Sequence, residues 1–209
     1  MTQTPGIKSI TRLQAAYAFE YIRHDLQWLK NQAASDYIVQ KACRQMPKDC
    51  DQADTSNPES EIVRQKVEEY LSQLTQQTES NNDDPVINTL KATHLKYQAE
   101  YTSRLKKLPM LIKTNGLGNV LTFLLAKGYE KGSPCWLLLD QIARWLTEEP
   151  SCLPVTSKTS DAGQFIQEII QQNSPLYRQL TKKTLALLVW MGRFAEGLLS
   201  EANNEVVEG

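Results

Sequence analysis

Apolar residues recur at intervals of three and four along nearly every ordered stretch of this chain, and the alternation that marks strands is absent. The first stretch covers about 9–32, with Ile10, Leu13, Tyr17 and Tyr21 on one stripe and Ala16, Phe19, Ile22, Leu26 and Leu29 widening it. A shorter helical piece is expected over 36–45. Asn57-Pro58 and Asp84-Pro85 each place a capping side chain before a proline whose missing amide costs a helix start nothing. The first opens a helix carrying Ile62, Val63, Val67, Tyr70, Leu71 and Leu74. The second opens a longer one carrying Ile87, Leu90, His94, Tyr97, Tyr101, Leu105 and Leu108.

Pro109 removes an amide from that long helix and is expected to kink or end it. Asn115-Gly116 supplies a stop, since both residues tolerate a left-handed backbone. Residues 120–126 are again helical and closed by Gly128, and Ser133-Pro134 starts the next helix, with Trp136, Leu137, Leu139, Ile142, Trp145 and Leu146. Pro150 and Pro154 bracket a loop. A helix with Phe165, Ile166, Ile169 and Ile170 follows, and Ser174-Pro175 caps a last helix that runs to about Leu199. The pattern predicts an all-α fold: a single compact helical domain over 1–209 with roughly seven helices. The polar, acidic tract 48–84 reads as an insertion with one short helix, and 200–209 as a frayed acidic tail.

Composition narrows the function classes. Of 209 residues 41% are apolar, the net charge is −1, and the mean hydropathy is −0.45. No global field advertises nucleic acid or a membrane, so any electrostatic role must come from uneven local charge. No apolar run approaches the ~18 residues a membrane helix needs, and the N-terminus has no signal-peptide core. A cytoplasmic protein without membrane contact is expected. Cys43, Cys50, Cys135 and Cys152 form no C-x-x-C pair, and their spacing to His24 and His94 suits neither a zinc site nor a disulfide scaffold. No metal, cofactor or catalytic residue is expected. With two histidines a hydrolytic triad has few ways to be built. Both lie near apolar stripes, where a half-buried histidine bonded to its surroundings is the simpler reading.

The glycines of 108–128, LPMLIKTNGLGNVLTFLLAKG, resolve toward a helix junction. A dinucleotide fingerprint needs a strand before its first glycine and a third glycine after the second, and neither is present. Gly118 is expected to let two helices approach closely, because it lacks a side chain.

Charge is segregated. Between Lys91 and Gly132 stand Lys91, Lys96, Arg104, Lys106, Lys107, Lys113, Lys127 and Lys131 against Glu100 and Glu130 alone. Between Leu176 and Phe194 stand Arg178, Lys182, Lys183 and Arg193 and no acid. Acids concentrate in 49–84 and in the tail. On a wheel of about 100° per residue, Leu180, Thr184, Leu187, Met191, Phe194, Ala195 and Leu198 gather on one side of the last helix. Arg178, Lys182 and Arg193 fall within about 60° of one another opposite them. Arg104 and Lys107, three residues apart, share a flank of the long helix while Lys106 points elsewhere. Cations at fixed helical spacing suit a run of phosphates, which asks for charge and spacing rather than base-reading groups. Charge alone leaves open a solvated basic face.

Two blocks carry a family likeness. EYTSRLKKLPMLIKTNGLGNVLTFLLAKG (100–128) contributes Tyr101, Leu108-Pro109, Ile112, Asn115-Gly116-Leu117 and Phe123. YRQLTKKTLALLVWMGRFAEGLL (177–199) contributes Tyr177-Arg178, Thr181, Trp190 and Arg193-Phe194-Ala195. In this order, closing an all-helical chain, they resemble the Cmr small-subunit family of type III-B CRISPR RNA-guided effector complexes. Where that family often has a glutamate after Tyr-Arg-x-x-Thr, this chain has Lys182-Lys183. The resemblance implies a non-catalytic subunit of antiviral defence. It would stack in several copies beside other effector subunits and line a channel for guide RNA and target RNA. Arg104, Lys107, Lys113, Arg178, Lys182 and Arg193 are the expected backbone contacts, with Lys127 and Lys183 after them. The alternative is a protein–protein adaptor whose basic faces meet acidic partners without touching nucleic acid.

Overall fold

Six helices and no strand lie among the described residues of the computed structural model, namely 32–45, 85–148 and 161–204 together with 15–16, 18–19, 65–66 and 69. They are α1 (Gln32–Gln45), α2 (Pro85–Asn115), α3 (Leu117–Lys127), α4 (Pro134–Glu148), α5 (Ala162–Ile170) and α6 (Ser174–Asn204). The all-helical reading therefore holds for these residues. Of the helices expected over 9–32 and after Pro58, only isolated positions are described, and those are helical; the rest of both, and nearly all of the tract 48–84, lie outside the described residues. Ala18, which is described, is fully buried, and the Phe19 ring meets Phe194 edge-on at 5.4 Å.

α2 is the central rod, packing against α1, α3, α4 and α6. Its spacing of three and four places Tyr97, Tyr101, Leu105, Leu108 and Ile112 in the core. α4 adds Leu137, Leu138, Ile142, Trp145 and Leu146, and α5 adds Phe165 and Ile169. A smaller cluster of Ala42, Val86, Ile87 and Leu90 ties α1 to the start of α2. Two tyrosine hydroxyls are satisfied inside this body: Tyr97 donates to the Gly132 carbonyl at 2.5 Å and Tyr101 to Gln141 Oε1 at 2.9 Å. His94 is buried, as its stripe position implies, with Gln98 Nε2 3.2 Å from its Nε2.

Of the two outcomes expected at Pro109, ending the helix is corrected. α2 neither ends at Pro109 nor stops short of it; the helix continues to Asn115. A proline inside a helix costs roughly 3 kcal/mol. Leu105, Leu108 and Ile112 stand on both sides of it, all at or below 2% exposure. Each such side chain gains about 1.5–3 kcal/mol on burial, so keeping the rod intact outweighs the lost bond.

The stop falls where the glycine predicts it. Gly116 has φ 83°, and its amide donates to the Ile112 carbonyl at 2.9 Å, closing α2 before α3 begins at Leu117. α3 is closed in turn at Gly128, whose amide donates to Leu124. α5 is capped by Asp161, which accepts from the Gln164 amide at 3.1 Å. At the start of α6 the side chain that accepts is Asn173, from the Leu176 amide at 3.1 Å, one residue before the Ser174 expected to cap it.

Candidate nucleic-acid interface

α6 is amphipathic in the manner its sequence predicts. Leu180, Thr184, Leu187, Leu188, Met191 and Ala195 are all within 1% of complete burial. A residue about 180° from that stripe must face outward, and Arg178, Lys182 and Arg193 are exposed. No carboxylate among the described residues pairs with any of the three. From Arg178 to Arg193 the helix rises about 22 Å, enough to pass several successive phosphates of one strand.

Two features of this face escape a reading by charge. Val189 sits between Lys182 and Arg193 and is 46% exposed, so the face is cationic with an apolar centre. The Arg193 guanidinium lies 5.2 Å from the centroid of the Trp190 ring, which stacks on Phe194 at 5.9 Å, which in turn meets Phe19. A planar cation resting on an aromatic row is held in position while its outer edge stays open to an anion. The spacing of Trp190, Arg193 and Phe194 is the signal that could have found this arrangement.

The foot of α6 meets the glycine junction. Gly118 of α3 donates its amide to the Tyr177 hydroxyl at 3.0 Å. A Cβ on Gly118 would come within 2.9 Å of Ile170 Cγ1, so the expected close approach of two helices is real. Arg178, Gly118, Ile170 and Tyr177 border an open concavity of about 370 Å³. The Gly118 amide is already engaged there by Tyr177, leaving Arg178 as the charged group at this end of the face.

The six cations predicted as one set fall on two surfaces. Lys113 lies on the same flank of α2 as Lys106, about 20° from it on the wheel. The Lys106 ammonium reaches Glu196 of α6 at 3.0 Å, so this flank borders α6. Arg104 is about 180° from Lys113 and Lys107 about 120° from it. That second flank looks toward α3: Arg104, Lys107 and Phe123 border another concavity, of about 450 Å³. Arg104 is half-buried, and its Nε and Nη2 both donate to Glu100 Oε1, at 3.0 and 2.7 Å. Lys107 and Lys113 are exposed; Lys127 is exposed on α3, and Lys183 is half-buried.

Among the described residues no three His, Cys, Asp or Glu side chains gather as metal ligands, and no helix is long and apolar enough to cross a membrane. Cys43 and Cys135 are free and buried, and burial pushes both thiols up. Burial likewise pulls His94 down to about 4, so it is neutral at pH 7.

A family model described as CRISPR-associated protein (Cas_Cmr5) matches residues 85–198, more than half of the chain. The chain belongs to this family. Its members are Cmr small subunits of type III-B CRISPR complexes, and membership associates the chain with the other Cmr subunits. The matched span begins at the first residue of α2 and ends within α6, so it takes in the first sequence block whole, all but the last residue of the second, and both flanks of α2. No solved structure matches the chain.

Proposed function

We propose that this chain is a non-catalytic, cytoplasmic structural subunit of a type III-B CRISPR effector complex. It stacks in several copies, and the outer face of α6 holds the backbone of guide or target RNA in antiviral defence. The carrying observation is that Arg178, Lys182 and Arg193 are exposed along one side of a rigid helix, opposite a fully buried stripe, with no carboxylate partner among the described residues. Lys113, on the flank of α2 that borders α6, extends this face. Sequence in such an assembly is read by base pairing between the RNAs, so the protein needs charge at regular spacing rather than groups that read bases. A single copy offers few phosphate contacts, and stacking multiplies them.

The test is RNA binding by the assembled complex as a function of salt. Reversing Arg178, Lys182 and Arg193 to glutamate is expected to weaken binding of a target RNA and to flatten the slope of log K against log salt. Unchanged affinity and slope would favour the adaptor reading, in which these faces meet acidic protein. RNA cleavage by the purified chain alone, dependent on added divalent metal, would contradict the non-catalytic assignment.

A further inference from the structure

The concavity at the foot of α6 is continuous with the cationic face, because Arg178 belongs to both. The rest of its lining is of another kind. Ile170 is 55% exposed and offers a bare apolar surface. Neutral polar groups stand around it. Asn119 donates its amide nitrogen to the Asn115 carbonyl at 2.8 Å, and Gln172 donates its own to the Glu168 carbonyl at 2.9 Å. Each amide keeps its oxygen and one N–H for a ligand. The Tyr177 hydroxyl accepts from the Gly118 amide and keeps its proton to donate, and Ser174 adds a second hydroxyl. Among the described residues no acidic side chain borders the concavity, and Arg178 is its one cation.

This lining suits neither a phosphate nor an apolar protein side chain. The backbone amides of Gly118, Leu176 and Tyr177, at the two helix starts, are already engaged by the Tyr177 hydroxyl, the Asn173 side chain and the Asn173 carbonyl. An apolar side chain seated on Ile170 would leave the surrounding amides and hydroxyls without partners, which opposes docking. Of the large apolar side chains exposed among the described residues, only Tyr129 carries a polar tip. It would bring Lys127 and Lys131 toward Arg178, since Glu130 beside it is held by Lys41 at 3.6 Å. A nucleobase has both parts that are called for: a flat apolar face for Ile170, and an edge of donors and acceptors for Asn119, Gln172 and Tyr177. The volume of about 370 Å³ falls within the range of small-ligand sites.

We infer that this concavity holds one unstacked nucleobase of the RNA whose backbone runs along α6. Ile170 takes the face of the base, Asn119 and Gln172 take its edge, and Arg178 takes the adjoining phosphate. Each amide offers both a donor and an acceptor, so every base finds a partner and the contact stays indifferent to sequence. The inference rests on the reading of α6 as an RNA-backbone face and adds to it a contact that charge does not supply.

The test uses the assembled effector with 4-thiouridine placed in the guide strand in one series and in the target strand in another, irradiated and mapped by mass spectrometry. The expected product is a cross-link from a base to residues 170–178 or 118–119, and the series that yields it names the strand. Asn119→Leu combined with Gln172→Leu is expected to abolish this cross-link and to weaken RNA binding by about fivefold or more. The salt slope should stay unchanged, because no charge is removed. Asn119 is exposed, so Asn119→Leu alone should melt with the parent and still weaken the cross-link, which separates a lost contact from a lost fold. No cross-link at these residues from either strand overturns the inference, as does unchanged affinity in the double variant. A benzophenone amino acid at position 170 that cross-links to protein and not to RNA also overturns it. The triple reversal on α6 forms the independent arm. A slope flattened by that reversal without any base cross-link defeats this inference alone, whereas an unflattened slope counts against the backbone reading.

Discussion

The Tyr177 hydroxyl lies 3.0 Å from the Gly118 amide, accepting the hydrogen bond that joins the foot of α6 to the first turn of α3 across 59 residues of chain. It links the two sequence blocks that carry the family likeness, and it sits beside Arg178 at one end of the cationic face. The bond thus ties the foot of α6 to the helix junction.

Tyr177→Phe removes that acceptor and leaves the ring in place. A typical hydrogen bond contributes about 1 kcal/mol, so the melting temperature is expected to fall by about 2–4 °C. Thermal unfolding followed by circular dichroism reads this directly. An unchanged melting temperature would mean that water replaces the hydroxyl without loss.

Gly132 is the position least able to accept a side chain. Its φ is 81°, and a Cβ there would come within 1.9 Å of the Ala33 carbonyl oxygen, a backbone atom that cannot swing aside. Gly132→Ala combines a left-handed backbone with a clash, together about 2–4 kcal/mol. Because the same residue accepts the Tyr97 hydroxyl, α1 and α2 should loosen together. Chemical denaturation measures the loss, and hydrogen exchange should show it in α1 and in the part of α2 around Tyr97.

Stability should fall in mild acid through His94. Burial lowers its folded pKa from 6.5 to about 4, so below pH 6.5 the unfolded chain binds a proton that the folded chain refuses. The contribution is intact above pH 6.5 and is lost as the pH drops toward 4, reaching up to about 3 kcal/mol. His94→Gln should flatten this part of the profile. The same slope in the variant would place the acid sensitivity elsewhere.

The charges of α6 should matter for binding and hardly at all for folding. Arg178→Ala and Lys182→Ala are each expected to change stability by no more than about 0.5 kcal/mol. Each should lower the salt slope of RNA binding by the complex by roughly one unit. Arg193→Ala also strips the cation from Trp190, which adds about 0.5–1 kcal/mol to its cost. A large drop in melting temperature for Lys182→Ala would assign it a structural partner instead.

Much of the fold was legible because helical periodicity is local. The spacing of Leu180, Thr184, Leu187 and Met191 fixes which side of α6 is buried, and so which side Arg178, Lys182 and Arg193 occupy, without knowledge of any neighbour. Asn115-Gly116 marks a break for the same reason: the requirement is on the backbone of one residue. Pro109 does not end the helix, because its cost is local while the compensation is not. Leu105, Leu108 and Ile112 keep the rod unbroken only because α3, α4 and α6 are there to bury it.

The candidate site divides along the same line. A wheel gives the angle of Arg104, Lys107 and Lys113 about the axis of α2, but not which helix lies along each flank. Glu196 drawing Lys106 toward α6, and Phe123 rising beside Arg104 and Lys107, are contacts between segments far apart in the chain. By itself the sequence determined the helices, their inner faces and the cations they display outward. The tertiary structure alone decided that those cations serve two surfaces, because a side chain's neighbours are set by how rods pack against one another and not by the spacing of residues along a single rod.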